Sequence, residues 1–226
     1  MKYTHNYMKI FLDTSDTELI HKYHRTGLID GITTNPTLIM KSGRNPEDVY
    51  QEIKDIGIKD ISMEVVGDEG QMYCEGKRLY EKFGDVCTVK VPCTREGLAV
   101  CKSLSDQNIR VNVTLIFTAP QAVLAAKAGA TYVSPFVGRV YDNSFDGIKL
   151  IEEIADVFAT HGRDTKVLAA SVREVQQVSS AFRVGADICT LPIPVFNKMY
   201  NHVLTDKGLE LFDKDWQELQ TCLTTT

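Results

Sequence analysis

Eight short apolar runs, separated by longer amphipathic stretches, constrain the fold more than any other feature of this sequence. Several runs are almost continuously apolar, which is typical of strands that are covered on both faces in a parallel sheet. The predicted strands span residues 9–13, 31–34, 60–65, 86–91, 110–117, 132–137, 166–170 and 187–191. Eight such units in alternation predict one α/β domain over residues 1–226, folded as a (β/α)8 TIM barrel.

An open, doubly wound sheet is the alternative arrangement of the same units. Sheets of that kind that bind dinucleotides carry a glycine-rich turn after the first strand. This chain reads Asp13-Thr14-Ser15-Asp16 there, so the barrel is favoured.

Helices are predicted over 46–56, with Asn45 as a cap before Pro46, and over 119–128. Residues 1–8 form an N-terminal extension. An extra helix with an apolar stripe, over 206–222, covers the barrel's own surface or a neighbour's.

The composition excludes several classes of function. The chain has 226 residues, of which 43% are hydrophobic, and its net charge is −5. A broad nucleic-acid interface needs clustered Lys and Arg and is not expected. No apolar run reaches the roughly 18 residues of a membrane helix, and the first residues lack the apolar core of a signal peptide. The six cysteines form no CxxC pair, so we expect reduced thiols in a cytoplasmic protein. His21 and His24 have metal-ligand spacing but no third ligand, so no metal site is expected.

Polar residues stand at nearly every carboxyl end of the predicted strands, where barrels carry their active sites. They are more numerous than a passive core needs. The candidates are Asp13, Thr33, Thr34, Asn35, Glu64, Lys90, Asn112, Thr114, Ser134, Arg139, Ser171 and Arg173.

Lys90 lies within the apolar run Cys87-Thr88-Val89-Lys90-Val91-Pro92. Burial disfavours the charged form of an amine, and a neutral amine can attack a carbonyl group to form an imine. The iminium then accepts electrons while a C–C bond breaks or forms. The alternative is a lysine at the strand edge whose ammonium reaches solvent.

Two carboxylates on separate strands, Asp13 and Glu64, supply proton transfer at a hydroxyl and at a departing water. Asp13 could instead cap a helix that begins near Ser15. Glu64 could form a buried ion pair with Lys90, which is compatible with catalysis.

Arg139, Ser171 and Arg173 form a candidate anion site, since arginine binds phosphate oxygens bidentately. Ser171 follows the seventh strand, where many barrels hold a phosphate. The alternative for each arginine is an ordinary solvated ion pair at the surface.

Six segments carry a more specific signal: Phe11-Leu-Asp-Thr-Ser-Asp16, Gly31-Ile-Thr-Thr-Asn-Pro36, Thr88-Val-Lys-Val-Pro92, Asn112-Val-Thr-Leu-Ile-Phe117, Ser134-Pro-Phe-Val-Gly-Arg139 and Ala169-Ala-Ser-Val-Arg173. In this order they resemble the transaldolase family, including its short branch that contains fructose-6-phosphate aldolase. The resemblance runs from Phe11 to about Trp216.

The resemblance implies a role for each matched residue. Lys90 matches the Schiff-base lysine, and Asp13 matches the aspartate that handles the proton of the substrate's C4 hydroxyl. Glu64 and Thr114 are similar to the residues that hold a catalytic water. The other matched positions imply substrate binding, with the last three at the phosphate: Thr33, Asn35, Asn112, Ser134, Phe136, Arg139, Ser171 and Arg173.

Two positions distinguish the branches of the family. Aldolase members carry glutamine at Glu64 and tyrosine at Phe136, so both residues here resemble transaldolase. A tyrosine hydroxyl would help to protonate the enamine intermediate, and phenylalanine has none. The enamine then survives to meet a second aldehyde.

The resemblance therefore implies transfer of a dihydroxyacetone unit from sedoheptulose 7-phosphate or fructose 6-phosphate to glyceraldehyde 3-phosphate or erythrose 4-phosphate. No cofactor is expected, because the lysine itself accepts the electrons. A homo-oligomer, a pentamer or decamer, is implied as well. An aldolase that releases free dihydroxyacetone and a non-catalytic barrel that binds sugar phosphates are the alternatives.

Overall fold

The computed structural model describes residues 8–224, so only Met8 of the predicted extension over residues 1–8 lies within the described range. Eight parallel strands close into a barrel in chain order, with β1 paired to both β2 and β8. The strands are β1 (Lys9–Asp13), β2 (Gly31–Thr33), β3 (Ile61–Glu64), β4 (Cys87–Pro92), β5 (Val111–Ile116), β6 (Tyr132–Pro135), β7 (Lys166–Ala169) and β8 (Ile188–Leu191). The predicted (β/α)8 barrel is confirmed, and the open sheet is wrong.

Helices follow the strands and surround the barrel. They are α1 (Thr17–His24), α2 (Pro36–Ser42), α3 (Pro46–Ile56), α4 (Glu69–Phe83), α5 (Arg95–Ser105), α6 (Ala119–Lys127), α7 (Val137–Asp142), α8 (Gly147–Thr160), α9 (Val175–Arg183), α10 (Ile193–Lys198) and α11 (Val203–Thr224), with a short 3-10 turn at Gly84–Val86. None of the helices within residues 8–224 is long and apolar enough to cross a membrane.

Local signals in the sequence begin several of these helices. Asn45 caps α3 as predicted, because its side chain accepts a hydrogen bond from the backbone of Glu47 while Pro46 occupies the first turn. The α6 helix begins with a capping box, in which Thr118 and Gln121 bond each other's backbone amides. Both predicted helices are confirmed, with α6 one residue shorter than expected.

The two faces of the strands meet different surroundings. Outward-facing residues such as Val89 and Val113 pack against the helices in one large apolar core. Inward-facing residues on β1, β6, β7 and β8, together with Ala170 just after β7, form a second, smaller cluster of Phe11, Tyr132, Leu168, Ala170 and Ile188. The ring of Phe11 also covers Gly31, where a Cβ atom would lie 2.6 Å from it. This apolar cluster fills the part of the barrel interior next to β1, β6, β7 and β8. The inward-facing residues of β3, β4 and β5, on the other side of the interior, are polar.

The terminal helix α11 is longer than the predicted 206–222 and carries the expected apolar residues. The expectation that it could cover the barrel's own surface is wrong. Leu209, Phe212 and Trp216 are exposed by 56%, 68% and 60% in the single chain. Its apolar face is therefore available to something other than this barrel.

Candidate active site

A cavity of about 420 Å³ opens at the carboxyl ends of the strands. Ten of the twelve residues predicted for catalysis and substrate binding line it: Asp13, Thr33, Asn35, Glu64, Lys90, Thr114, Ser134, Phe136, Arg139 and Ser171. The other two, Asn112 and Arg173, do not line the cavity. The barrel thus brings together residues that are up to 158 positions apart in the sequence, as the difference between 13 and 171 shows.

Lys90 is buried and paired. The β3–β4 register places it directly beside Glu64. Its Nζ lies 2.9 Å from Glu64 Oε2 and donates a hydrogen bond of 2.9 Å to the backbone oxygen of Thr34. Only 5% of Lys90 is exposed, so the alternative of a lysine that reaches solvent is wrong. The buried ion pair with Glu64 is the arrangement that the protein adopts.

Asp13 lies across the cavity at the end of β1 and is held by a chain of hydroxyl groups. Thr33 donates to Asp13 Oδ1 at 2.7 Å and lies 2.6 Å from the hydroxyl of Thr190. Because Thr33 has one hydroxyl proton, Thr190 must be the donor to Thr33. The helix cap proposed as the alternative role of Asp13 is supplied by Asp16 instead.

Burial raises the pKa of the Asp13 carboxyl above its ordinary value, although the charge of Lys90 and the hydrogen bond from Thr33 lower it and the charge of Glu64 raises it further. A carboxylate whose pKa is raised in this way is a better proton acceptor than a solvated one. Asp13 therefore combines the position and the basicity that a general base needs.

Thr114 presents a hydroxyl group that no described residue satisfies. Its Oγ1 is buried and lacks a hydrogen-bond partner within residues 8–224. The β5–β6 register shifts between Val113 and Ile116, and Leu115 has a φ of 59°. A bulge re-aims side chains and is common beside active sites, while a bulky residue such as leucine at positive φ is strained. The bulge lets Thr114 and Leu115 both line the cavity.

Asn112 does not line the cavity but hydrogen-bonds to a residue that does. Its Nδ2 donates to Ser62 Oγ at 3.1 Å, and its Oδ1 accepts from Ser134 Oγ at 2.7 Å. All three side chains are buried. In this structure Asn112 fixes Ser134, which does line the cavity, and contacts the site through it.

The two predicted phosphate-binding arginines differ in their surroundings. The guanidinium of Arg139 lies 4.9 Å from the ring centroid of Phe136 and 5.9 Å from that of Phe117. Arg173 forms an ion pair with Asp142, as the surface alternative expected. Ser171, between β7 and Arg173, lines the cavity with a φ of 56°.

Sequence reasoning missed Thr190 and Ser62. Each stands two positions from another inward-facing residue of its strand, Ile188 and Glu64 respectively, and both lie inside the barrel. The alternation of side chains along a strand was therefore the signal that could have found them.

A buried lysine that pairs with Glu64 and shares its cavity with Asp13 and Arg139, at the carboxyl ends of the strands of a closed (β/α)8 barrel, defines a barrel enzyme site suited to imine chemistry on an anionic carbonyl compound. Comparison with known proteins agrees with this class. The sequence profile of the Transaldolase/Fructose-6-phosphate aldolase family matches residues 10–223. The chain belongs to this family, as its sequence motifs predict.

Curated relatives cover almost the whole chain. A protein of Paracoccus denitrificans named "Probable transaldolase" is 50% identical over 210 residues, covering 92% of this chain and 96% of the relative. Proteins of the same name from Caulobacter vibrioides and Nitrosopumilus maritimus are each 51% identical, covering 92% and 94% of this chain and 96% of each relative.

Proposed function

We propose that this enzyme carries out the transaldolase reaction, in which Lys90 transfers a dihydroxyacetone unit from a ketose phosphate to an aldose phosphate. Donors are fructose 6-phosphate or sedoheptulose 7-phosphate, and acceptors are erythrose 4-phosphate or glyceraldehyde 3-phosphate. Family membership and the shared name of the relatives support the activity. The pairing of Lys90 with Glu64 at 2.9 Å is the single observation that carries the mechanism.

Imine formation begins when the Lys90 amine attacks the C2 ketone of the donor. Proton transfer from Lys90 to the adjacent Glu64 carboxylate leaves the neutral amine that this attack requires. The C2 oxygen then departs as water, with Glu64 acting through a water that the hydroxyl of Thr114 holds. The buried Oγ1 of Thr114 has no hydrogen-bond partner among residues 8–224, and this supports the role because a buried hydroxyl needs a partner.

Cleavage of the C3–C4 bond follows when Asp13 takes the proton of the C4 hydroxyl. The bonding electrons move into the iminium and give an enamine on Lys90, while the aldose phosphate leaves. The raised pKa of Asp13 favours this proton transfer. The enamine then adds to the acceptor aldehyde, Asp13 returns the proton, and hydrolysis frees the new ketose.

Phe136 favours transfer over release of dihydroxyacetone. Its ring lies at the cavity and packs on Arg139 and Phe117. It offers no acidic hydrogen to the enamine, so the intermediate persists until an acceptor arrives. Thr33, Asn35 and Ser134 are proposed to bind sugar hydroxyls, and Arg139, Ser171 and Arg173 to bind the phosphate.

Borohydride trapping tests the proposal directly. Reduction in the presence of fructose 6-phosphate should leave a stable adduct on Lys90, located by peptide mass spectrometry. Lys90→Ala should lose both the adduct and transfer activity, by about 10⁴-fold or more. Lys102→Ala is the matched control, because Lys102 is exposed on α5. Normal turnover in Lys90→Ala would overturn the mechanism.

A second assay separates transfer from aldol cleavage. Fructose 6-phosphate without an acceptor should yield little free dihydroxyacetone, and adding erythrose 4-phosphate should restore turnover. Phe136→Tyr, especially combined with Glu64→Gln, should raise cleavage without an acceptor. Equal rates with and without acceptor in the parent enzyme would instead favour the aldolase.

Assembly and location belong to the same proposal. The exposed apolar face of α11 supports a homo-oligomer in which this helix contacts a neighbouring copy, a pentamer or decamer by resemblance. Trp216→Glu with Phe212→Glu should lower the mass measured by light scattering, and an unchanged mass would place the interface elsewhere.

Burial raises the pKa of the Cys87, Cys101 and Cys189 thiols to about 12, which keeps them as unreactive core residues. We place the enzyme in the cytoplasm.

A further inference from the structure

We propose that Asp142 is a positioning residue, which holds Arg173 outside the cavity until the phosphate of a substrate takes its place. The inference rests on the proposed function, because it assigns Arg173 to the phosphate of a sugar phosphate. It adds a residue that neither the sequence motifs nor the family comparison singles out.

The path of the Arg173 side chain carries this inference. Arg173 follows Ser171 at the end of β7, and its Cδ and Nε cross the start of α7 at Gly138. A Cβ atom on Gly138 would lie 3.0 and 2.8 Å from those two atoms. From there Nη1 forms an ion pair with Asp142 Oδ1 at the last residue of α7. The guanidinium is thus directed along α7 to Asp142, and Arg173 does not line the cavity.

Arg139, which lies on α7 as Asp142 does, contrasts with Arg173. It lines the cavity beside Ser171, and no carboxylate within residues 8–224 forms a salt bridge with it. Two aromatic rings hold its guanidinium in place. Arg139 is therefore available to an anion, whereas Asp142 occupies the guanidinium of Arg173.

The ion pair has the properties of a replaceable contact. The Arg173 and Asp142 side chains are exposed by 51% and 46%, and ion pairs this exposed contribute little to stability. A phosphate dianion carries more charge than a carboxylate and can accept two parallel bonds from a guanidinium. When a phosphate enters beside Arg139 and Ser171, Arg173 can exchange Asp142 for it, and the released carboxylate returns to water. An unphosphorylated sugar offers no such exchange.

Titration with inorganic phosphate tests the inference without relying on turnover. Asp142→Asn should bind phosphate about 1.5- to 5-fold more tightly by calorimetry, the range that an exposed ion pair corresponds to. Asp156→Asn, which removes an exposed charge on α8, is the matched control and should change nothing. In an Arg173→Ala background, Asp142→Asn should have no further effect.

Kinetics give a second measurement. In Asp142→Asn, KM for glyceraldehyde 3-phosphate should fall by the same factor, with kcat and the KM for unphosphorylated glyceraldehyde unchanged. Asp142→Glu, which keeps the charge, should resemble the parent. Weaker or unchanged phosphate binding in Asp142→Asn, together with weakened binding in Arg173→Ala, would overturn this inference alone. Unchanged binding in Arg173→Ala would overturn both the inference and the phosphate role of Arg173, whereas the borohydride adduct tests the Lys90 mechanism separately.

Discussion

The two ends of the barrel each hold a carboxylate beside a cation, yet they differ in how completely their polar groups are satisfied. At the amino end, Asp60 accepts hydrogen bonds of 2.8 Å from Thr88, 2.6 Å from Arg110 and 2.6 Å from Tyr132. Burial and the Asp60 carboxylate raise the pKa of Tyr132 above its ordinary value, so the phenol remains a donor. This network matches each oxygen of Asp60 with donors.

The carboxyl end uses the same strands with a different result. The ion pair there joins Glu64 on β3 to Lys90 on β4. Asp60 directly precedes β3, and Thr88 lies on β4, so both networks involve the same two strands. The hydroxyl of Thr114 has no partner in the described part of the chain, and Asp13 keeps a carboxyl whose pKa is raised by burial. Satisfied buried groups contribute to stability, and unsatisfied ones cost free energy that a substrate or water can recover. The comparison indicates that one end holds the barrel closed and the other is prepared for a ligand.

Among the variants that compare the two ends, Asp13→Asn should have the largest effect on activity, with little adverse effect on folding. Loss of the general base should lower kcat by about 10²- to 10⁴-fold. Because the folded pKa of Asp13 lies above the unfolded value of 3.8, its ionised form costs stability at neutral pH, and this cost disappears as pH falls toward 3.8. Asp13→Asn should therefore melt at a higher temperature than the parent at pH 7, and the difference should shrink on acidification. A lower melting temperature at pH 7 would contradict the assignment.

Asp60→Asn should show the opposite pattern at the amino end. It removes the charge that faces Arg110, and breaking a buried ion pair from one side costs about 3 to 5 kcal/mol. The Arg110 side chain is 31% exposed, so we expect about 3 kcal/mol or less, at the lower limit of that range. Urea unfolding measures the loss, and kcat of the folded enzyme should stay close to the parent value. A large fall in kcat without a loss of stability would remove the distinction between the ends.

A matched pair of isosteric changes compares the two ends most directly. Thr88→Val removes a donor to Asp60 and should lower the free energy of unfolding by about 1 to 2 kcal/mol. Thr114→Val removes a hydroxyl that has no partner within residues 8–224, and it should leave stability unchanged or raise it by up to about 1 kcal/mol. The effects on activity should be reversed: kcat should be about tenfold lower in Thr114→Val and close to the parent value in Thr88→Val. Equal stability losses would show that Thr114 is satisfied in the folded protein.

Thr33→Val should produce the smallest effect, a shift in the pH dependence. Its hydroxyl lowers the pKa of Asp13, so its loss should move the acidic limb of the kcat/KM profile to higher pH. Glu64 raises the same pKa, and Glu64→Gln should move that limb to lower pH. Shifts in the same direction would show that the limb does not report Asp13.

Much of this architecture could be predicted because its signals are local. The apolar runs of β1 to β8 and the cap at Asn45 depend on neighbours within a few positions. Ten of the twelve residues predicted for the site line the cavity. Strand bounds differed from those predicted by one or two residues at several ends, because pairing with neighbouring strands decides where a strand stops.

The sequence by itself determined the alternation of strands and helices, the family and the polar residues at the strand ends, since side-chain periodicity and motifs are written along the chain. Only the tertiary structure decided which of those residues meet. Thr33 contacts Thr190 across 157 positions, and the β3–β4 register places Glu64 beside Lys90. Arg173 turns to Asp142, 31 positions away, and leaves the cavity. The reason is that barrel closure and register fix distances between residues, and no local pattern contains those distances.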